Sequence, residues 1–193
     1  MTFSALLGQT KALTLLNRAL ASGRLAHAYL FAGPDGVGKT TCASDLAAVL
    51  LCRQPTQGRP CMTCPGCLKF RSGNHPDFLR IRPDGAAIKI DQIRELKKAL
   101  NYAPFESTQR VVILEEVHTM RREAGNSLLK VLEEPPPDNL LILVGNSAEA
   151  ILERAQDAVL VRAFAFETHH HVDHMFQHAG ASDRAILGDM ADQ

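Results

Sequence analysis

The chain has 193 residues, 46% of them apolar, and its 21 Lys+Arg balance 21 Asp+Glu, so the formal net charge is zero. That length holds one α/β domain with a small appendage. A neutral chain with no Trp and 2 Tyr has neither the excess charge nor the stacking platform of a stand-alone nucleic-acid binder. The first twenty residues lack a basic leader, and no apolar run reaches the ~20 residues of a bilayer span. The expectation is a cytoplasmic protein without membrane contact, whose cysteines serve something other than disulfides.

Leu13, Leu16 and Leu20 recur at helical spacing and Ser22-Gly23 closes the segment, which predicts a helix over 9–21. Ala28-Tyr29-Leu30-Phe31 reads as a buried strand. It runs into Gly33-Pro34-Asp35-Gly36-Val37-Gly38-Lys39-Thr40, which meets the phosphate-binding pattern G-x-x-x-x-G-K-[ST] at every required position. An Ala- and Leu-rich helix over 41–51 completes the strand–loop–helix context. The glycines let backbone N–H groups turn toward a β-phosphate, and the helix N-terminus adds partial positive charge. Gly33, Pro34, Gly36, Val37, Gly38, Lys39, Thr40 and Thr41 are the expected nucleotide contacts. Lys39 would reach the β and γ oxygens, and the Thr40 hydroxyl would ligate Mg²⁺. The ligand is a nucleoside triphosphate.

From Arg53 to Asn74 the chain is rich in Pro, Gly, Cys and Thr, and an irregular insertion is expected there. Cys52, Cys61, Cys64 and Cys67 stand in the spacing C-x₈-C-x₂-C-x₂-C. Thiolates two residues apart in a turn converge on one tetrahedral ion, and four of them leave no open position. The reading is a structural zinc that staples a segment with little core of its own. Cys42, on the helix after the phosphate loop, reads as a small core residue.

Phe78-Leu79-Arg80-Ile81 is a short strand, and Asp91 is the expected N-cap of a helix reaching Asn101. Val111-Val112-Ile113-Leu114 is an apolar strand ending in Glu115-Glu116. A helix over 121–132 is stopped by Pro135-Pro136-Pro137, and strands over 140–144 and 159–164 follow. Five strands alternating with helices imply a parallel sheet covered on both faces. Residues 168–193 are less apolar; His169-His170-His171 reads as a solvated turn, and 185–190 as a helix cut short. Glu116 is placed to act as a general base. Glu115 stands where P-loop NTPases carry an Asp for Mg²⁺, and its extra methylene shifts the oxygen. Binding of Mg²⁺·ATP is therefore expected, and fast hydrolysis is not.

With these motifs in this order, the chain resembles the bacterial DNA polymerase III clamp-loader subunits, of the AAA+ class, over about 3–166. The resemblance is carried by His27-Ala28-Tyr29-Leu30-Phe31 before the loop and by the four-cysteine spacing. It also rests on Glu115-Glu116-Val117-His118-Thr119-Met120, similar to D-E-x-H-x-[ML]. Its most specific part is Asn126-Ser127-Leu128-Leu129-Lys130-Val131-Leu132-Glu133-Glu134-Pro135-Pro136, similar to N-[AS]-L-L-K-x-L-E-E-P-P. The resemblance implies an AAA+ ATP-binding domain over 1–166, with a five-stranded parallel sheet and a zinc module at about 52–74. A helical lid domain would begin at 167–193.

The resemblance also implies a polar γ-phosphate sensor, with Asn146 the first candidate and Ser147 the next. The family's Ser-Arg-Cys motif falls on Asp157-Ala158-Val159, so Ala158 replaces the arginine that reaches a neighbour's ATP site; Arg154 and Arg162 lie off that spacing. The cofactors implied are ATP, magnesium and zinc. The partners implied are other clamp-loader subunits, with the sliding clamp and primer–template DNA reached through the assembly. Within the family, gamma/tau subunits are ATPase motors that keep the Asp-Glu pair, and delta-prime is a stator with a worn acidic motif. Glu115 selects the delta-prime type, an ATP-binding part of a nucleotidyltransferase holoenzyme with weak hydrolysis of its own; the gamma/tau type is the alternative. A zinc-lid nucleotide kinase also joins a P-loop to cysteine knuckles, but the Leu-Leu-Lys-x-Leu-Glu-Glu-Pro-Pro segment has no place in one.

Overall fold

Ala28–Ala32 (β1), Arg110–Leu114 (β3) and Asn139–Gly145 (β4) are buried at every position, and strands apolar on both faces need helices on both sides. A computed structural model of the protein describes residues 9–146 and the backbone of a further strand, Val161–Ala165 (β5). Phe78–Ile81 (β2) completes a parallel sheet in the order β2-β3-β4-β1-β5. The helices are Thr10–Ser22 (α1), Lys39–Leu50 (α2), Pro65–Arg71 (α3), Ile90–Leu100 (α4) and Arg122–Glu133 (α5). A single 3₁₀ turn, Val117–Thr119, follows β3.

The pleat divides the core in two. Tyr29, Phe31, Val111, Ile113, Leu140 and Ile142 face α1 and α2, meeting Leu16, Cys42 and Leu46. Leu30, Val112, Leu114, Leu141 and Leu143 face α4 and α5, meeting Ile93, Leu96, Leu128 and Leu132. Because every strand runs parallel, the loop after β1 emerges at the carboxyl edge of the sheet, where ligands bind in open α/β folds. No described helix is long and apolar enough to cross a membrane.

Three local expectations change. The stretch expected to be irregular holds α3, which Pro65 starts with its preset φ and which the Cys64 sulfur caps by accepting the Cys67 N–H at 3.4 Å. Helix α4 is N-capped at Lys89, not at Asp91. The Gln92 Oε1 accepts the Lys89 N–H at 2.9 Å, and Asp91 sits inside the first turn, paired with Arg94 at 2.9 Å; an acid there favours the helix dipole without capping. Helix α2 begins at Lys39, two residues before the expected Thr41. Ser147, Arg154, Ala158, the histidine run and the expected lid at 167–193 lie outside the described residues.

Candidate nucleotide site and cysteine cluster

The loop between β1 and α2 is shaped by three glycines at φ of 147°, 81° and 91° (Gly33, Gly36 and Gly38), a region that side chains disfavour. The Gly33 N–H donates to the Gly145 carbonyl at 3.3 Å, which ties the loop to the end of β4. Helix α2 has no acidic residue in its first turn, so its positive end is uncompensated. Lys39 is 7% exposed and folds over the loop; its Nζ donates to the Gly33 and Pro34 carbonyls at 2.6 Å each. Burial lowers its pKa, and the Asp35 carboxylate, 3.9 Å away, opposes that shift. Asn146, at the end of β4, donates from Nδ2 to the other Asp35 oxygen at 3.4 Å. Asp35 thus stands between Lys39 and Asn146. Thr40 is half-buried at the helix start and Thr41 is exposed.

Alternation along β3 puts Glu115 on the α2 face, after Val111 and Ile113. Its backbone N–H pairs with the Ile81 carbonyl at 2.9 Å, at the end of β2. Its carboxylate is already engaged: Oε1 lies 2.9 Å from Arg80 Nε, and Oε2 lies 3.1 Å from Arg82 Nε. Arg80 also donates from Nη2 to the Ser44 hydroxyl at 2.8 Å. Neither arginine stood out in the sequence. The signal was their spacing of two residues, which projects both from one face of an extended segment.

Glu116 is exposed and sits at φ 51°, ψ 42°, left-handed space that a non-glycine residue rarely adopts. Its carbonyl accepts from the Thr119 N–H and hydroxyl, both at 2.8 Å, closing the 3₁₀ turn. Among the described residues its carboxylate has no partner. Backbone strain of this kind gathers where a side chain must be aimed.

The four sulfurs of Cys52, Cys61, Cys64 and Cys67 all lie within 4.8 Å of one another, and the Cys52–Cys64 and Cys61–Cys67 pairs are each 3.9 Å apart. Tetrahedral zinc with Zn–S of about 2.3 Å places its sulfurs about 3.8 Å apart, so the donor set fits that ion. Backbone N–H groups of residues 61, 64 and 67 point at the sulfurs of Cys52, Cys61 and Cys64 at 3.2–3.4 Å, which favours thiolates. The Thr63 and Cys64 N–H groups lower the Cys61 thiol to about 6. Burial pushes Cys67 up to about 12. Cys42 lies apart, fully buried in the core against α1 and the sheet.

A polar network roots this module. The Glu106 carboxylate pairs with Lys69 of α3, with Arg53 at 3.3 Å, and with the buried His75 ring at 3.5 Å. Asp77, fully buried, accepts the backbone N–H groups of Phe105, Glu106 and Ser107. Sequence spacing gave no hint of this network, because its members come from the segment after α2, from α3, from the 72–77 turn and from the loop before β3.

The profile of the family described as DNA polymerase III, delta subunit, matches residues 8–159. The chain belongs to the DNA polymerase III clamp-loader family. It is 37% identical over 145 residues to DNA polymerase III subunit delta′ of Bacillus subtilis (strain 168), covering 75% of this chain and 44% of that one. Against subunit tau of Escherichia coli (strain K12) it is 34% identical over 192 residues, covering 96% of this chain and 30% of the relative.

Two solved structures share the fold. A DNA polymerase III gamma subunit-related protein from Thermotoga maritima MSB8 superposes with a TM-score of 0.54 at 21% identity, covering 92% of this chain and 49% of that one. The clamp loader delta protein of Bacillus subtilis gives 0.53 at 10% identity, covering 79% and 42%. The chain therefore spans less than half the length of each of these four relatives.

Two of the motifs that mark the clamp-loader resemblance meet in space. His27 Nε2, just before β1, lies 3.2 Å from the Leu132 carbonyl near the end of α5. The Asn139 amide then donates to the carbonyls of Leu100, Pro136 and Pro137 at 2.8–3.2 Å, seating the proline turn that carries α5 into β4. These contacts hold β4, and with it Asn146, beside the phosphate loop.

Proposed function

We propose that this chain is the nucleotide-binding part of a delta-prime-type clamp-loader subunit, which takes ATP into the loop 33–41 and works in the cytoplasm within the replication assembly. One observation carries the reading: Lys39 of the loop and Asn146 of β4 converge on the Asp35 carboxylate, as a cation and an amide donor would converge on a terminal phosphate. In the nucleotide-bound state the Lys39 ammonium leaves the Gly33 and Pro34 carbonyls for phosphate oxygens, and the Asn146 amide reads the γ-phosphate. The Thr40 hydroxyl is the protein ligand offered to magnesium at the helix start. Four cysteinate sulfurs would hold zinc, which staples the 52–74 module. Neighbouring clamp-loader subunits are the direct partners; the sliding clamp and primed DNA are reached through them.

The delta-prime reading is supported by Glu115, which replaces the expected Asp and is occupied by Arg80 and Arg82. Similar identity to delta′ and tau relatives keeps a gamma/tau-type motor as the second reading. Glu116 favours that one, since its carboxylate is aimed by a strained backbone and is free to act as a base. The test is binding of a fluorescent ATP analogue, with steady-state hydrolysis measured on the chain alone and with partner clamp-loader subunits. Binding that Lys39→Ala abolishes, with negligible turnover in both settings, supports the delta-prime type. Turnover that rises sharply with partners and primed DNA supports the motor. Absence of any binding refutes both.

A further inference from the structure

The Glu115 carboxylate sits between two arginines. Its side chain is 12% exposed, and its two oxygens face two guanidinium groups. Those groups come from β2 and the residue just past it, so the cluster sits in the groove between the carboxyl ends of β2 and β3. The Arg80 contact to Ser44 fixes where this cluster lies relative to the phosphate loop. Ser44 follows Thr40 by four residues, about 6 Å along the helix axis, and on the same helical face. Arg80, which carries Glu115 with it, is therefore tied to α2 one turn below the hydroxyl that offers itself to magnesium. An acidic ligand alone would present one negative charge to a dication there. The arginine pair offsets that charge, so the Arg80, Arg82 and Glu115 side chains together carry one net positive charge.

We propose that Glu115 is a positioning residue for Arg80 and Arg82 and not a metal ligand, so that this chain holds its nucleotide with an arginine pair on the side where the metal's acidic ligand was expected. The proposal rests on the nucleotide-binding reading above. Two cationic neighbours fit it better than they fit magnesium: Oε2 accepts a hydrogen bond from Arg82 Nε at 3.1 Å, Oε1 lies 2.9 Å from Arg80 Nε as an ion pair with no hydrogen bond of its own, and the Ser44 hydroxyl braces Arg80. Arg82, 61% exposed, is the more available of the two to turn toward phosphate oxygens, while Arg80, 31% exposed and bonded to Ser44, keeps the anchor in place.

The experiment measures the dissociation constant of ATP by calorimetry, in excess Mg²⁺ and in excess EDTA. It uses the full chain, the double variant Arg80→Gln/Arg82→Gln, and Glu115→Gln. In the unaltered chain the two constants differ by less than about threefold, because the arginines already supply the local cation. In the double variant Glu115 is released, EDTA binding weakens, and Mg²⁺ tightens binding by about tenfold. In Glu115→Gln the magnesium effect stays below about threefold.

A tenfold or larger magnesium effect in the unaltered chain that Glu115→Gln abolishes would overturn the proposal and make Glu115 a metal ligand. No ATP binding in either buffer would overturn the nucleotide reading itself, a different outcome. A double-mutant cycle on Arg80 and Glu115, read by urea unfolding without nucleotide, checks the anchor separately. Coupling of about fivefold or more in the unfolding constant is expected, and additive effects would refute the pairing.

Discussion

Asp77→Asn tests how the loop before β3 is held against the cysteine module. The carboxylate is fully buried and accepts three backbone N–H groups, two of them at 2.9 and 2.8 Å. Burial alone would raise its pKa, but the N–H groups of Glu106, Phe105 and Ser107, with the nearby His75, outweigh it and hold the carboxyl below its ordinary value. Asparagine offers one acceptor oxygen and turns an NH₂ toward donors, so at least one N–H loses its partner. Hydrogen bonds to a charged group contribute about 1.5–3 kcal/mol each, and the net loss is expected near 3 kcal/mol.

With an m-value of about 2 kcal/mol/M, that loss lowers the urea midpoint by about 1.5 M, read by far-UV circular dichroism. The sign of the pH dependence follows from the lowered pKa. The stabilisation is fully present above the unfolded carboxyl value of about 3.9 and is lost as pH falls through the still lower folded value. The gap between the native chain and Asp77→Asn should therefore be constant from neutral pH down to about 4 and close below it. A midpoint within about 0.3 M of the native one at neutral pH, or a gap unchanged at pH 2.5, would refute the reasoning.

Gly66 and Gly125 are both helical, but a Cβ on Gly66 would run into the Leu51 carbonyl, whereas one on Gly125 meets nothing within 4 Å. Gly66→Ala is expected to destabilise by about 2–4 kcal/mol and Gly125→Ala to stabilise by up to about 1 kcal/mol, both measured by urea unfolding. Cys61→Ser and Cys67→Ser should each remove bound zinc, quantified with a colorimetric chelator after thiol displacement. A strong chelator should lower the thermal midpoint of the native chain and leave those variants unmoved. Asp35→Asn removes the carboxylate that holds Lys39 and Asn146, and it should tighten ATP by roughly threefold to tenfold with a smaller gain for ADP. Calorimetry showing weaker ATP binding would refute that role for Asp35.

Features made by a few consecutive residues were legible in the sequence. The phosphate loop is one, because three glycines, a lysine and a threonine within eight positions define the turn and start the helix. The cysteine cluster is another, since two C-x₂-C steps bring three sulfurs together and the fourth needs only a short return of the chain. The runs 28–31, 111–114 and 140–144 are apolar throughout, which by itself demands a sheet covered on both faces. Helix α3 was missed because its signals, Pro65 and the Cys64 cap, also read as a turn, and seven residues show little periodicity.

What the chain alone could not decide is which partner each polar side chain meets. Glu115 reads as a metal ligand from its place after an apolar strand, yet its partners Arg80 and Arg82 are 35 and 33 positions away, and the Ser44 that braces Arg80 is further still. They meet because β2 pairs with β3 and α2 lies over that face. Asn146 reaches Asp35, 111 positions away, only because β4 is placed beside β1, whereas Lys39 meets it within the loop itself. Short-range motifs are written in backbone preferences that act within a turn. The charge of a site is a sum over groups that strand order brings together, and that order exists only in the folded chain.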